Sequence, residues 1–569
     1  MENKFNSRKQ TLIISFLVFY IISVILSIHV FNIMALRNDS FNITDVEVLI
    51  NEVKNSLINK TVIMPVSGYF KVFLIITVTF GLLMINSLMN IKNTMPDIEK
   101  GSASFGSISE VNRKLIDKDP KNNFILSKRL RVSMDQRKTG LNGHVLTVAG
   151  SGAGKTRCML LNNLVQMNSS YIVLDVKGEI YDYTAKLFKE NGYKVKVLNL
   201  RKLEKSFKFN PFKYFIDETS VYKFVEIIIN ATGKDSNDSF WINNARTLLN
   251  AACMYVYQEL LDEEKNMLSV SDIVNSFESR EEDESYKSAA DIIFEDLYEK
   301  KGETLAYKLY KKVRKNNGKT LKSIIGDVNT RLSVFDFENM RNIFNGDELD
   351  LDSFTDEKTI LYLVVSDTNS AFDFIVNIFY QVSIDYFIEK ADNRGAFKIP
   401  LRYHMDEFCN TGKIGGENGF KKILATARSR EMFFSLYVQS VNDIKALYKD
   451  DFESIMDNLD IKCWLGKSSF KWVSEMLGKQ TIETVNSSRS KGKNGSISES
   501  YNTLGRELLT VDEAQRFDRR KSIIFINGEK PIMDFKYDIS KNKLYNSLGN
   551  PKTKENILDI NKLIFDVRK

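Results

Sequence analysis

Apolar residues run almost unbroken from Thr11 to Ala35. They do so again from Phe70 to Met89, where only Lys71 and Asn86 interrupt, near the ends of the run. Each stretch matches the ~20 residues a helix needs to cross a bilayer. A cleaved signal peptide does not account for the first, because its apolar core is too long and no clear small-x-small site follows. A buried core helix is the alternative for the second, and two such runs so close together favour membrane spans over about 11–35 and 70–89. Lys4, Arg8 and Lys9 precede the first span, and Lys92, Lys100, Arg113, Lys114 and Lys118 follow the second. The loop between them, Leu36 to Gly68, holds only Arg37, Lys54 and Lys60 among Asp39, Asp45, Glu47 and Glu52. The positive-inside rule therefore places both termini in the cytoplasm of a two-span cell-membrane protein. Lys71 sits where its side chain can snorkel to the interface. Asn42-Ile43-Thr44 has the form of a glycosylation site, which has meaning only in a eukaryotic compartment.

Beyond Asn90 the pattern changes period. Val145 to Val148, Tyr171 to Leu174 and Lys194 to Asn199 are short apolar or alternating runs, separated by helical segments from Arg157 and from Glu179. That is β-α-β-α-β, the signature of a parallel sheet. From Glu218 to Gly346 apolar residues recur at i, i+3 and i+4, with hardly any strand-like run. Strands resume at Lys358 to Val365, Leu401 to Met405, Met432 to Val438, Ile461 to Leu465 and Ser522 to Ile526. The pattern predicts an α/β fold: a membrane domain over 1–96, one nucleotide-binding domain split over 97–217 and 347–530, an all-helical insertion over 218–346, and a tail over 531–569. Lys491 to Gly505, rich in Ser, Gly and Asn, reads as a loop.

The chemistry starts at Ala149-Gly150-Ser151-Gly152-Ala153-Gly154-Lys155-Thr156, directly behind an apolar strand and before a helix. In that setting the residues from Gly150 to Thr156 form a phosphate loop. Glycines let backbone N–H groups converge on a phosphate, the helix N-terminus favours negative charge, Lys155 reaches the β- and γ-phosphates, and the Thr156 hydroxyl suits Mg²⁺. Ala149 stands where the strict motif has Gly, at the outer edge of the loop. Asp406-Glu407 closes the run Leu401 to Met405: the Asp suits Mg²⁺, and the Glu can take a proton from an attacking water. Gln439 emerges from the strand ending at Val438, where an amide can sense the γ-phosphate.

Composition limits the alternatives. A net charge of +7 over 569 residues carries no global nucleic-acid signature, so any DNA contact is local. Cys158, Cys253, Cys409 and Cys463 are isolated, and His29, His144 and His404 are the only histidines, which argues against disulfide frameworks and histidine catalysis. Few prolines and abundant Asn, Lys and Ile suggest an AT-rich bacterial genome.

Several of these motifs together resemble the type IV coupling proteins of bacterial conjugation and type IV secretion, of the TraG/TraD type. The likeness takes in the paired spans, the stretch from Ala149 to Asp182 with its D-x-K-G-E string at Asp175 to Glu179, and Phe209-Asn-Pro-Phe212. It continues through Asp238 to Trp241, Asp406-Glu407, Ala427-Arg428 to Gln439-Ser440, and Arg506 to Leu509 before Asp512-Glu513. Val176, Ala427 and Glu507 depart from residues usual in the family. The resemblance implies a RecA-like P-loop ATP hydrolase assembled as a homo-hexameric ring at the membrane. Such a motor uses ATP and Mg²⁺ to move single-stranded DNA with its relaxase (relaxosome), or protein cargo, through type IV secretion channel proteins. It also implies that Arg428 reaches a neighbour's nucleotide in trans, with Arg430 as the nearby alternative.

Within the insertion, Glu278, Glu281, Glu282, Asp283 and Glu284 form an acidic run. Lys308, Lys311, Lys312, Arg314, Lys315, Lys319 and Lys322 form a basic one interleaved with Tyr307 and Tyr310. Solvated helix faces explain both; DNA-backbone contact and relaxosome docking are the functional alternatives. Two other classes remain beside the coupling ATPase. A chromosome-segregation-type DNA translocase typically has more spans and lacks the D-x-K-G-E string. A non-hydrolysing membrane receptor would not need Lys155, Thr156, Asp406 and Glu407 intact.

Overall fold

The computed structural model describes residues 2–37, 46–59, 65–89, 99–232, 239–279, 286–316, 318–368, 371–414, 419–489 and 497–569. Asn42 to Thr44, Lys92, Asp238, Glu281 to Glu284 and Lys491 to Ser496 lie outside them. The chain divides into two compact units, one of residues 1–102 with 481–504, the other of 103–480 with 505–569.

In the first unit the apolar runs form helices α1 (Glu2–Arg37) and α3 (Tyr69–Met89), with α2 (Val46–Ile58) in the loop between them. Thr11–Leu36 and Tyr69–Leu88 are long and apolar enough to cross a membrane. Tyr20 Oη meets Thr77 Oγ1 at 2.8 Å and Ser27 Oγ meets Tyr69 Oη at 2.5 Å. These hydrogen bonds tie α1 to α3. Ile14, Phe19, Ile75 and Leu82 leave more than half of their surface uncovered, as an apolar helix does when the solvent it fits is hydrocarbon. Residues 36–68 read as a plain loop, and α2 within it was not anticipated.

The second unit is built on a nine-stranded sheet: β1 (Val145–Val148), β2 (Ser170–Val176), β3 (Lys194–Asn199), β4 (Thr359–Val365), β5 (Leu401–Met405), β6 (Met432–Val438), β7 (Ile461–Trp464), β8 (Lys521–Ile526) and β9 (Ile532–Phe535). The spatial order is β9-β8-β7-β1-β6-β5-β2-β4-β3. From β7 to β3 all pairs are parallel, and β8 and β9 add antiparallel strands at one edge. Every residue of β1, β4, β5 and β6 is buried, which is why these strands read as continuous runs rather than alternations. Register fixes what emerges together. Val148 is level with Val438 on β6 and Trp464 on β7, and Met405 with Leu436. The segments following β1, β5, β6 and β7 therefore share one edge of the sheet.

β3 and β4 are neighbours, yet about 160 residues separate them in the chain. Among the described residues of that interval no strand occurs. Helices run from Glu218–Thr232 to Glu338–Phe344, with Val221, Ile228, Leu248, Val256 and Leu321 buried.

Two features differ from expectation. Ile497–Glu507 is a strand, paired with Lys479–Arg489 in a two-stranded ribbon, although 491–505 reads as a loop. Its residues are polar almost throughout, so no alternation marks it, and ladder hydrogen bonds do not require an apolar face. The sheet also continues into the expected tail: β9 carries Asp534, buried, which accepts from Arg129 Nε (2.9 Å), Arg129 Nη2 (2.8 Å) and Ser127 Oγ (2.6 Å). A charged residue in a four-residue run conceals a strand from any pattern of hydrophobicity.

Candidate functional site

β1 delivers the chain into the glycine loop. Its glycines are required sterically. A Cβ on Gly150 would lie 2.6 Å from the Lys467 carbonyl oxygen, and Gly152 and Gly154 have φ of +66° and +96°, a region that L side chains enter only with strain. Ala149 is buried and donates to the Val438 carbonyl (3.0 Å), so a methyl is accommodated there. Lys155–Leu160 is a π-helical turn that passes into an α-helix at Leu161–Leu164, an under-wound start of the kind often found at functional sites. This helix is shorter than the apolar pattern to Met167 suggests. Met167 takes φ +53° and turns the chain toward β2.

β5 and β1 are separated in the sheet by β6, and the loops from all three meet. Lys155 Nζ lies 2.9 Å from Asp406 Oδ1 and 3.9 Å from Glu407 Oε1. Thr156 Oγ1 donates to Asp406 Oδ2 at 3.5 Å. Burial pushes the Asp406 carboxyl up, and the Lys155 ammonium pulls it back down. Glu407 has φ +51°, strained for a residue with a Cβ. Its carboxylate accepts from Asn410 Nδ2 (2.9 Å) and Gln439 Nε2 (3.3 Å), which aim it. Such a pocket suits a Mg²⁺–triphosphate: glycine N–H groups, a lysine and a hydroxyl on one side, a buried carboxylate and an oriented glutamate on the other.

Sequence reasoning missed three contributors. Lys467, in the turn after β7, donates from Nζ to the carbonyls of Ser151 (3.1 Å) and Gly152 (3.0 Å). Lys536, just after β9, donates to those of Ala153 (2.9 Å) and Leu465 (2.6 Å). Asn410, three residues after Glu407, is the third, donating from Nδ2 to its carboxylate. Nothing local marks any of them. Asp175, first residue of the D-x-K-G-E string, is fully buried and accepts from the Ile180 (3.1 Å) and Tyr181 (2.7 Å) N–H groups. It caps the following helix rather than entering the pocket.

Residues 98–548 match the model of the family described as type IV secretory system conjugative DNA transfer. The chain belongs to that family. Within it, the VirD4 protein of Rhizobium radiobacter is 22% identical over 408 residues, 69% of this chain and 56% of that protein. The VirD4 protein of Agrobacterium fabrum is 21% identical over 69% of this chain and 58% of its own length. The matched stretch thus spans a little over half the length of the curated relatives. In fold, the chain is similar to the plasmid coupling protein TrwB solved with the non-hydrolysable ATP analogue ADPNP, with a TM-score of 0.55 and 12% identity over 79% of this chain and 97% of that one. TrwB with ADP and Mg²⁺ matches equally, over 79% and 97%.

The remaining expected residues lie elsewhere. Arg428 and Arg430 precede β6, at the opposite end of the strand from Gln439. Arg428 Nε donates to Gln136 Oε1 (2.9 Å), and Gln136 Nε2 returns a bond to the Arg428 carbonyl (3.2 Å). Arg430 is clamped by both oxygens of Asp392 at 2.8 Å each. In the insertion, Tyr310 is buried, bonds Asp291 (2.6 Å) and stacks on Phe294, while Tyr307 stacks on Tyr298. The two tyrosines interleaved in the basic run are therefore packing residues of the helical insertion.

Proposed function

We propose that this chain is the membrane-anchored ATPase of a conjugative type IV secretion system. In this reading α1 and α3 span the cell membrane with both termini cytoplasmic, and six copies form a ring that recruits and moves single-stranded DNA with its bound relaxase, or a protein cargo, into the channel proteins. The observation that carries it is the convergence of Lys155, Thr156, Asp406 and Glu407 at one sheet edge, with Lys155 and Asp406 2.9 Å apart. Pairing that lysine with that aspartate leaves each charge compensated until a nucleotide arrives to separate them.

The residues divide the work as follows. The N–H groups of Gly152 and Gly154 and the start of the helix hold the β-phosphate, and Lys155 holds the β- and γ-phosphates. Thr156 and Asp406 would hold Mg²⁺, which when bound neutralises charge developing on the phosphates. Glu407 accepts a proton from the attacking water. Gln439, bonded to Glu407 at 3.3 Å, senses whether the γ-phosphate is present. Arg428 acts on the neighbour's nucleotide. Support for the trans assignment is geometric: six residue steps of β6 put it about 20 Å from the pocket of its own subunit.

TrwB, of the same fold, has been solved with ADPNP and with ADP and Mg²⁺, and that chemistry fits the pocket here. In the test, Lys155→Ala should lower ATP turnover by at least ~10²-fold and abolish transfer, while the variant still fractionates with the membrane. Undiminished transfer in cells lacking the wild-type copy would sink the reading.

A further inference from the structure

We propose that Lys467 and Lys536 are positioning residues that pre-form the phosphate cradle by fixing its carbonyls from behind. This inference rests on the nucleotide reading given above. Lys467 holds the Ser151 and Gly152 carbonyls, and Lys536 holds that of Ala153. Three consecutive peptide groups of the loop are thus anchored by two ammonium ions. A trans peptide is planar, with its C=O and N–H pointing in opposite directions. Turning those three carbonyls toward the lysines therefore turns the N–H groups of Gly152, Ala153 and Gly154 away from them.

The Ala153 N–H closes a turn on the Gly150 carbonyl (3.0 Å), whereas those of Gly152 and Gly154 have no acceptor among the described residues. Donors left in this way, next to an uncapped helix start at Gly154, are what an anion-binding nest requires. The two ammonium ions oppose rotation of these peptides, which is the reorganisation that a pre-formed site avoids.

The turn that carries Lys467 is itself braced. Lys467 and Ser469 both have positive φ, +67° and +52°. Strain of that kind persists only where surroundings over-determine it, and here they do. The Gly466 carbonyl accepts from Gly150 (3.1 Å), Ser468 Oγ donates to the Gln439 carbonyl (2.5 Å), and Ser469 Oγ accepts from Val441 (3.0 Å). One four-residue turn therefore touches the glycine loop and the end of β6 that presents Gln439. The same turn that shapes the cradle also fixes the backbone of the sensing residue.

The test is ADP–Mg²⁺ binding to the full chain in detergent micelles, measured by calorimetry, alongside steady-state ATP turnover. Lys467→Met and Lys536→Met keep the length of the side chain and remove the ammonium. Each should weaken ADP binding about tenfold. KM for ATP should rise by a larger factor than kcat falls, because the chemical groups stay in place. Lys467→Arg should recover part of the affinity. Lys536 is half-buried and its Met variant has the greater chance of misfolding; Lys467 is exposed, so its variant keeps the proposal open to refutation. If wild type binds ADP, Lys155→Ala does not, and Lys467→Met binds within about twofold of wild type, the clamp is refuted while the nucleotide site stands. No binding by wild type removes both.

Discussion

The two ends of β6 make opposite use of charge. At the end where Gln439 emerges, Lys155, Asp406, Glu407, Lys467 and Lys536 crowd one pocket, and every charged group faces a partner from a different strand. At the other end Arg428 is exposed and, among the described residues, its side chain is held by Gln136 alone, while its neighbour Arg430 is already neutralised by Asp392. The first arrangement is complete within one chain. The second has a free cation positioned on a rigid strand start with no anion of its own among the described residues, which is what a residue serving an adjacent subunit requires. Similar local sequences, an arginine two residues from another, thus have different prospects because one is paired and one is not.

The largest test of that contrast removes the cation. Arg428→Ala should fold and bind ATP, yet lose ~10³–10⁵ in turnover, the range for trans arginines. Mixing it with Lys155→Ala subunits should restore part of the activity, since some interfaces then pair an intact loop with an intact arginine. Wild-type turnover by Arg428→Ala alone would remove it from the site. No recovery in verified mixed rings would instead point to strict coupling among all subunits.

A step smaller is the loss of the base. Glu407→Gln keeps the hydrogen-bonding shape but cannot accept a proton, so turnover should drop ~10²–10⁴-fold with ATP still bound. Asp406→Asn should act differently, weakening the Mg²⁺ dependence of binding; equal effects of both on Kd, with turnover at saturation unchanged, would break the division of roles.

Stability offers a third test, at the same edge of the sheet. Burial pushes the Asp175 carboxyl up to about 7, although the Ile180 and Tyr181 N–H groups pull it downward. A folded-state pKa above the ordinary 3.8 means that the native state holds this proton more tightly than the unfolded chain. Its stabilising contribution is complete below that lower value and disappears as pH rises through about 7. Tm should therefore fall more between pH 5 and 8 for wild type than for Asp175→Asn, which has no proton to lose there. Parallel pH profiles would contradict this. The smallest effect belongs to Arg430→Ala: a partly exposed pair with Asp392 contributes ~0.2–1 kcal/mol, and turnover should stay within about fivefold of wild type. A loss as large as that of Arg428→Ala would erase the contrast between the two arginines.

Much of the pocket was legible because its chemistry is contiguous in the chain. A buried strand, three glycines and Lys-Thr predict their own geometry, and an acid pair at the end of an apolar run predicts where the carboxylates go. The parallel sheet was equally visible in its uninterrupted apolar strands. Less visible were β9, with its buried Asp534, and the polar ribbon beginning at Lys479, since neither has the periodicity by which strands are recognised. The packing of Tyr307 on Tyr298 and of Tyr310 on Phe294 was not legible either, since each partner lies on another helix.

By itself the sequence determined the two long apolar helices, the glycine loop, the acid pair and the class of fold, because each depends on neighbours within a turn or a strand of one another. Only the tertiary structure decided that Lys467 and Lys536, some 310 and 380 residues beyond the loop, hold its carbonyls, that Gln136 holds Arg428 across 292 positions, and that Arg430 is spent on Asp392. The sheet order β7-β1-β6-β5 interleaves strands from distant parts of the chain. A lone lysine or glutamine acquires its partner only when that interleaving brings the two backbones side by side.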